Sequence, residues 1–420
     1  MTQGRVHVIG AGLAGLSAAV RIASEGVGVE LSDSAANAGG RCRSYFDPQL
    51  GLTIDNGNHL VLSGNRAVNT YLARIGAEDR LTGPDKAEFD WIDLRDGARW
   101  TLRPNEGPVP WWVLVKDRRV PGTSPAEYVA LAALMNPKPG QRVDEVLDCK
   151  GPLWERLMQP FLLSALNTEP ESGAADLAAA IIRETLAKGG RAYRPRIAEP
   201  TLAAAFVEPA LDVLAERGAK VRTGRRLRAI TFDDARVTGL TFADGEVAVP
   251  EGESVVLAVP PWVASELVPG LTTPNEFRAI INAHFRIDLP TGAPPMIGVI
   301  GGVAEWIFVF EDRVSVTVSA GDRLVDMDRE ALAALIWRDI AVVHKLGPDV
   351  PPWQIVKEKR ATFAATPQQN ARRPEAKTRW SNLFLAGDWV QTGLPATIEG
   401  SLRSGAVSYT HLTLPTKRIV

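Results

Sequence analysis

The sequence predicts an α/β protein that combines a discontinuous Rossmann-like domain with a second, α+β domain containing a mixed or antiparallel sheet. Two observations predict this fold. The chain opens with a β-α-β unit, in which a strand at 5–9 leads through a glycine turn into a helix at 16–24 and a strand at 27–32. Apolar runs at 255–259 and 383–386 predict two further buried strands, so the first sheet is expected to collect separate chain segments.

Length and composition place the chain among large globular proteins. Its 420 residues, 45% hydrophobic and 23% charged, are enough for a large core and for two or three domains. The net charge of -2 shows no basic surplus, so we expect no nucleic-acid partner and interpret the arginine-rich stretches at 222–228 and 372–379 as solvated faces. The two cysteines, Cys42 and Cys149, exclude a disulfide framework and favour a cytoplasmic location. No metal site is expected, because the histidines lack ligand spacing.

Pattern and composition divide the chain into six segments. We assign 1–95, 202–270 and 376–407 to the Rossmann-like domain, and 96–201 and 271–375 to the second domain. The segment 96–201 is rich in predicted helix, whereas 271–375 combines a sheet with a helix. The last segment, 408–420, changes character and is expected not to continue the helix that starts at Glu399, so we interpret it as a non-native tail.

The strongest motif is a G-x-G-x-x-G sequence in VIGAGLAGLSAA, formed by Gly10, Gly12 and Gly15. The first glycine permits a tight turn, the second lets a pyrophosphate approach the backbone, and the third lets the helix pack close to the strand. Leu13 and Ala14 complete this turn and are predicted to bind the cofactor with it, and the start of the following helix presents free N–H groups and a partial positive charge to phosphates. The motif therefore predicts a dinucleotide site at the end of the first strand.

An acidic residue at the end of the second strand completes this unit. Asp33 lies about twenty residues after the glycine turn, where a carboxylate can accept hydrogen bonds from a ribose hydroxyl. Glu30 is the competing residue. The alternation of apolar residues places Asp33 at the tip of the strand, which favours Asp33 as the ribose ligand.

The segment after the acid indicates which dinucleotide binds. Gly39 and Gly40 allow close approach of a ligand to the backbone, and Arg41 can pair with phosphate. With this element the chain resembles the flavin amine oxidase and phytoene desaturase superfamily, in which the second strand ends in an acid and continues into G-G-R. Here the sequence is DSAANAGGRCRS, with aspartate where glutamate is usual. The resemblance implies FAD as the cofactor, bound by a GR2-type domain.

The resemblance extends to two further segments. In IDNGNH it implies that Gly57, Asn58 and His59 lie near the isoalloxazine ring. His59 titrates near neutral pH and is a candidate proton donor, although a structural hydrogen bond is an equally good role for it. In RLRAI at 226–230 it implies a backbone contact from Leu227 to adenine.

The C-terminal signature LFLAGDWVQTGLPATIEGSLRSG also resembles the superfamily. The resemblance places Gly387 and Asp388 near the ribityl and pyrophosphate groups. It places Ile398 and Glu399 at a helix start, where backbone N–H groups face the pyrimidine side of the flavin and favour negative charge on it. The segment contains no cysteine, so FAD is expected to bind non-covalently.

Within the superfamily the chain most resembles the squalene-associated branch, the hydroxysqualene dehydroxylases of bacterial hopanoid biosynthesis. The residues that carry this resemblance are Gly-Asp-Trp followed by TGLPATIEG, the DNGNH segment, and LNTEP at 166–170. The resemblance implies an apolar isoprenoid substrate and reductive removal of an allylic hydroxyl, with an electron donor that the sequence does not specify. Three alternatives stay open: a carotenoid (phytoene-type) desaturase, an amine oxidase, and a lipid-binding or escort protein that is not an enzyme.

One apolar stretch suggests contact with a membrane. PVPWWVLV, from Pro108 to Val115, is followed by Lys116, Arg118 and Arg119 and is a candidate for docking at the inner face of the membrane. A buried loop is the alternative interpretation. No run of about eighteen apolar residues predicts a spanning helix, so we expect a cytoplasmic protein with peripheral membrane contact.

Overall fold

The computed structural model describes residues 4–289 and 292–413. The helices of this part of the chain are α1 (Leu13–Ser24), α2 (Arg66–Ile75), α3 (Pro125–Ala130), α4 (Gly151–Leu153), α5 (Gln159–Leu166), α6 (Ala175–Glu184), α7 (Leu202–Phe206), α8 (Glu208–Glu216), α9 (Pro261–Leu267), α10 (Arg329–His344), α11 (Pro367–Asn370) and α12 (Ile398–Thr413).

The strands of the same residues are β1 (Val6–Ile9), β2 (Val29–Ser32), β3 (Ser44–Asp47), β4 (Leu52–Asp55), β5 (Leu60–Leu62), β6 (Leu81–Thr82), β7 (Phe89–Asp93), β8 (Arg99–Leu102), β9 (Pro195–Ala198), β10 (Lys220–Arg222), β11 (Leu227–Phe232), β12 (Val237–Phe242), β13 (Gly245–Ala248), β14 (Ser254–Leu257), β15 (Phe277–Arg286), β16 (Met296–Ile300), β17 (Trp306–Val309), β18 (Arg313–Val318), β19 (Trp353–Phe363) and β20 (Leu383–Leu385).

Three distant stretches of the chain meet in one parallel sheet. Its order is β10-β2-β1-β14-β20, and every neighbouring pair is parallel. The first stretch gives β1 and β2, the middle one gives β10 and β14, and the last gives β20. This arrangement confirms the predicted α/β fold with a discontinuous Rossmann-like sheet.

Helix α12 brings the C-terminal stretch onto the N-terminal unit. It crosses α1 so closely that a Cβ on Gly405 would lie 2.1 Å from the carbonyl oxygen of Ala14. The Ser17 hydroxyl donates to the carbonyl of Leu402 at 2.9 Å across the same contact. Small residues on both helices therefore hold the start of α12 beside the glycine turn.

A second, mixed sheet has seven strands in the order β19-β15-β18-β17-β16-β7-β8. The pair β7–β16 is parallel and the other pairs are antiparallel. Helix α10 packs on one face, where Val314, Val316 and Val318 share a core with Ile336. The strand β7 belongs to this sheet although it lies inside the segment 1–95 that we assigned to the Rossmann-like domain.

The expected end of the last helix at 407 is wrong. Helix α12 continues through Ser408 to Thr413. The Ser408 side chain is buried, and its hydroxyl donates to the carbonyls of Leu385 at 3.2 Å and Ser404 at 3.1 Å. A serine can remain helical by bonding the carbonyl four residues earlier, so a change of composition does not end the helix here. The rest of the predicted tail, 414–420, lies outside the described residues.

Candidate active site

A cleft of about 920 Å³ is lined by residues of both sheets and of the segments between them. The glycine turn and the distant C-terminal segment both line it. The predicted site residues that line this cleft are Gly10, Gly12, Leu13, Ala14, Asp33, Gly39, Gly40, Arg41, Gly57, Asn58, His59, Leu227, Gly387, Asp388, Ile398 and Glu399. Gly15 lies behind the turn, where a Cβ would be 1.8 Å from the carbonyl oxygen of Gly10, as close packing of helix on strand requires.

The glycine turn leaves room for a ligand. Gly10 has φ +108°, and a Cβ there would lie 2.3 Å from the carbonyl oxygen of Ala258. Gly12 precedes the first turn of α1, no side chain caps this helix end, and a Cβ on Gly12 would meet no protein atom within 4 Å. Uncapped N–H groups beside open space suit the pyrophosphate of a dinucleotide.

The structure separates the two candidate ribose ligands. The Asp33 carboxylate accepts from the backbone N–H groups of Ala11 at 2.6 Å and Ala35 at 2.7 Å, and the residue lines the cleft. Glu30 is buried among arginines instead, and its nearest partner is Arg225 at 3.3 Å. The carboxylate available to a ligand in the cleft is therefore that of Asp33.

The segment after Asp33 ties the two ends of the chain together. A Cβ on Gly40, which has φ +57°, would lie 3.2 Å from the Cα of Gly12, so the two glycine segments are in contact. The Arg41 guanidinium pairs with the Asp388 carboxylate at 2.8 Å and donates to the carbonyl of Ala361. Arg41 thus contacts a second predicted FAD residue, whereas the sequence suggested phosphate as its partner.

Beneath the segment that follows Asp388 lies an arginine that the sequence analysis did not select. Arg373 is 5% exposed and donates to the carbonyls of Asp388 at 3.1 Å and Val390 at 2.6 Å, and to the Thr392 hydroxyl at 3.1 Å. Burial lowers its pKa to about 10. The interpretation of 372–379 as a solvated face is therefore wrong at Arg373, which is surrounded by backbone carbonyls. The interpretation of 222–228 is wrong in the same way at Arg225, whose guanidinium pairs with the carboxylates of Glu30 and Asp244.

The segment Asn56–His59 is seated on the seven-stranded sheet. The amide N–H of Asn58 donates to Asn282 Oδ1 at 3.2 Å, and the Thr317 hydroxyl donates to the same oxygen at 3.0 Å. A Cβ on Gly57 would lie 3.0 Å from Asn282 Nδ2, so glycine permits this close approach. Asn282 and Thr317 were not predicted, because β15 and β18 show no motif around them.

His59 is enclosed in the cleft in its neutral form. Burial, aided by the positive charge of Arg41, lowers its pKa to about 4. At neutral pH the ring is therefore an imidazole with one N–H donor and one acceptor nitrogen. An imidazolium acid is therefore disfavoured at this position.

The start of α12 presents its backbone to the cleft and turns one side chain away. The Glu399 carboxylate accepts from the N–H groups of Ala67 at 3.1 Å and Val68 at 3.0 Å, and so caps α2. Arg403 donates to the same carboxylate at 3.1 Å. The Glu399 carboxylate is therefore engaged by α2 and Arg403, so a contribution of Glu399 to a ligand in the cleft would come from its backbone.

The far end of the cleft is apolar. Trp91 and Trp306 meet there edge to face, with ring centroids 4.8 Å apart, and the Trp306 indole donates to the Ser164 hydroxyl at 2.5 Å. The other apolar lining residues of this end include Leu102, Leu157, Phe161, Ile181, Leu186 and Phe308. One end of the cleft therefore offers donors and charges, and the other offers aromatic and aliphatic surface.

Comparisons with known proteins agree with this site. The model of the family "Flavin containing amine oxidoreductase" matches residues 13–407. The hydroxysqualene dehydroxylase of Rhodopseudomonas palustris is 54% identical over 95% of this chain and 96% of its own length. That of Zymomonas mobilis is 50% identical over 95% and 96%. The zeta-carotene desaturase of Synechocystis is 20% identical over 96% and 95%.

Solved structures show the same fold at low identity. Cyclohexylamine oxidase from Brevibacterium oxydans superposes with a TM-score of 0.69 at 14% identity, covering 98% of each chain. The open turn at Gly12, the uncapped start of α1 and the volume of the cleft fit FAD, which is the cofactor of this protein. The chain is an FAD-dependent oxidoreductase and belongs to the family of flavin-containing amine oxidoreductases.

Proposed function

We propose that the chain removes the allylic hydroxyl of hydroxysqualene reductively, giving squalene and water, with FAD held at the polar end of the cleft and substrate at the apolar end. The observation that carries the proposal is that both ends belong to one continuous cleft of about 920 Å³. The similarity to two hydroxysqualene dehydroxylases of at least 50% identity supports the choice of substrate. A long apolar molecule with one polar group matches such a cleft.

In this reaction reduced FAD, when bound, supplies a hydride to the carbon that loses its oxygen. The chain has three tasks: to hold the cofactor, to exclude water, and to supply a proton to the departing hydroxyl. The N–H groups at the start of α1 and the Asp33 carboxylate would hold the phosphates and ribose. Trp91, Trp306 and Phe308 would line the reaction space and keep water from it.

FAD is held without a covalent bond in this proposal. The C-terminal segment at 383–405 has no cysteine. Cys42 lines the cleft, but burial raises the pKa of its thiol to about 12, so it is protonated and poorly nucleophilic at neutral pH. Denaturation should therefore release all of the FAD from the protein, and flavin that stays with the precipitated chain would contradict this point.

The product of purified, FAD-loaded protein tests the reaction. Anaerobic incubation with hydroxysqualene and a chemical reductant of flavin should give squalene, identified by mass spectrometry against an authentic standard. A second incubation, with zeta-carotene and an electron acceptor, tests the desaturase alternative that the Synechocystis relative favours. Desaturated carotenoid without any squalene would overturn the proposal, as would a protein that converts neither substrate.

We also propose that an exposed apolar patch, Val109 with Trp111, Leu114 and Val115, docks on an anionic membrane. These side chains are 70%, 49%, 69% and 40% exposed, whereas Trp112 between them is buried and anchors the loop. No helix among the residues that the structure describes could span a bilayer, so this contact would be peripheral. The interpretation of 108–115 as a wholly buried loop does not fit the exposure of these four residues.

The surroundings of the patch favour a lipid surface. Lys116, Arg118 and Arg119 follow it, and the Arg118 guanidinium lies 4.7 Å from the centroid of the Trp111 ring. Aromatic and aliphatic side chains beside basic ones suit the interface of an anionic bilayer. Trp112, which anchors the patch, shares a core with Trp91 and Leu102, two residues that line the cleft.

Flotation with vesicles of phosphatidylglycerol and phosphatidylcholine tests the patch. Leu114→Glu should lower the bound fraction, with a vesicle affinity reduced at least about tenfold, since a buried leucine contributes about 1.5–3 kcal/mol. Val342→Glu, at a valine on α10 that is 57% exposed, is the matched control and should bind as the wild type does. Equal flotation of both variants would refute membrane docking through the patch.

A further inference from the structure

A carboxylic acid reaches the apolar end of the cleft through a single serine. Glu305 precedes β17 and is partly exposed, and one oxygen of its carboxyl group accepts from the backbone N–H of Ser319 at 2.7 Å. The Ser319 hydroxyl also hydrogen-bonds to this carboxyl group. Ser319 is 3% exposed and lines the cleft. The pair thus connects a residue that contacts solvent with the interior of the cleft.

The surroundings of Glu305 keep part of it protonated at neutral pH. Burial raises the pKa of its carboxyl group to about 7, and the charge of Glu169 acts in the same direction. The hydrogen bonds from Ser319 and the positive charge of Arg323 oppose this rise without cancelling it. A group with a pKa near the working pH can both release and regain a proton.

The other carboxyl groups of the cleft are engaged elsewhere. Asp388 pairs with Arg41, Glu399 caps α2, and Glu184 pairs with Lys188 and Arg403. Asp33 accepts from the N–H groups of Ala11 and Ala35, and Glu358 accepts from Asn56 Nδ2 at 3.3 Å. Ser319, in contrast, lies directly after β18, two residues beyond Thr317. Strand β18 pairs with β17, which contributes the cleft residue Trp306. Glu305 is therefore the acid with a route to the apolar wall, where an allylic alcohol would lie.

We propose that Glu305, acting through Ser319, supplies the proton that turns the substrate's hydroxyl into water; this inference rests on the proposed function. The Ser319 hydroxyl gives its proton to the hydroxyl oxygen of the substrate and takes one from the Glu305 carboxyl group. The C–O bond breaks and water leaves. With the hydride that reduced FAD would supply when bound, one proton and one hydride replace the hydroxyl. The Glu305 carboxylate then regains a proton from solvent.

Variants of Glu305, Ser319 and Glu311 test this relay in single-turnover reactions of the reduced, FAD-loaded protein with hydroxysqualene, from about pH 6 to about pH 9. Glu305→Gln keeps an oxygen that can accept from the Ser319 N–H but cannot transfer a proton. Ser319→Ala removes the hydroxyl that links the acid to the cleft. Glu311→Gln, in the exposed turn of the same hairpin, is the matched control.

The wild-type rate constant should fall about tenfold per pH unit above about pH 7, because the active form of Glu305 is the protonated one. Glu305→Gln should lower the rate constant below pH 7 by about 10²-fold or more and remove the dependence on pH. Ser319→Ala should lower it similarly, and the control should match the wild type. Glu305→Asp, which keeps an acid on a shorter side chain, should keep a pH-dependent rate between these limits.

Infrared difference spectra of the same proteins without substrate give a second readout. A carboxyl group that titrates near pH 7 should appear in the wild type and in Ser319→Ala and be absent in Glu305→Gln. A Glu305→Gln variant that keeps the wild-type rate and pH profile would overturn the relay and leave the proposed function standing. A wild-type protein that makes no squalene would instead remove the proposed function, and the relay with it.

Discussion

Replacing Gly12 by valine should weaken FAD binding while leaving the fold of the protein intact. Gly12 has φ -72° and ψ 175°, which valine adopts readily, and a Cβ there meets no protein atom within 4 Å. The other glycines of the motif differ. A Cβ on Gly10 would lie 2.3 Å from a carbonyl oxygen, and one on Gly15 would lie 1.8 Å from another. Of the three glycines, Gly12 is therefore the one at which a side chain would reduce the space in the cleft without clashing with the protein.

The expected loss of affinity follows from the donors at the start of α1. Valine at position 12 would displace a pyrophosphate from the start of α1, whose N–H groups have no side-chain cap. Two hydrogen bonds to a charged group contribute about 1.5–3 kcal/mol each, so the Kd for FAD should rise about 10²- to 10⁴-fold. The fold without FAD should lose at most about 1 kcal/mol, the usual cost of a poor helix cap.

Two measurements separate these effects. The ratio of flavin to protein absorbance after purification, followed by titration of FAD-free protein with FAD, gives the affinity. Thermal unfolding of the FAD-free forms gives the stability. Gly28→Val is the matched control, because Gly28 is exposed, lies outside the cleft and has equally open surroundings. Full FAD occupancy in Gly12→Val would refute the site, and unfolding of its FAD-free form would refute the separation.

Three further outcomes test the surroundings of the cleft. Glu399→Ala should lower the free energy of unfolding, measured with urea, by about 1–2 kcal/mol, since α2 loses its capping carboxylate. Arg373→Lys should lower it by about 1–3 kcal/mol, because lysine cannot reproduce the three contacts of the guanidinium, and should weaken FAD binding as well. For Glu305, protonation favours the folded state, since its pKa rises from 4.5 to about 7. Wild-type stability should therefore fall relative to that of Glu305→Gln as the pH rises through this range, by at most about 3 kcal/mol, in urea unfolding at several pH values.

The sequence was sufficient to predict the cofactor end of the fold, because that end rests on local geometry. A tight turn, a close helix contact and a free helix start each need glycine at a fixed spacing, so Gly10, Gly12 and Gly15 identify them without tertiary information. The C-terminal segment was recognisable for a similar reason. Its Gly387-Asp388 pair directly follows a short apolar strand, β20, which pairs with β14 in the first sheet.

The groups missed from the sequence are those whose role comes from distant contacts. Asn282 lies on β15, a strand of ten residues that was not predicted, and it acts on a segment about 220 residues earlier in the chain. Arg373 resembled a surface cation because neighbouring arginines surround it in sequence, and only the folded chain brings the carbonyls of Asp388 and Val390 to it. Glu305 carries no motif, since its chemistry depends on burial beside Ser319.

The two ends of the cleft belong to different sheets. We therefore expect that substitutions at one end impair FAD binding and that substitutions at the other end impair turnover. The glycine turn and Asp388 belong to segments of the parallel sheet, whereas Ser319 and Trp306 belong to the mixed sheet. A variant at Gly12 should lose FAD, and one at Glu305 should retain FAD at wild-type occupancy while losing turnover. The segment Asn56–His59 is bonded both to the N-terminal stretch and to the mixed sheet, because the N–H of Asn56 donates to the carbonyl of Arg43 at 3.0 Å and Asn282 on β15 bonds to the backbone of Asn56 and Asn58. Substitution of Asn282 by alanine should therefore affect FAD affinity and turnover together, and a variant that changes only one of them would show that this segment does not couple the two ends.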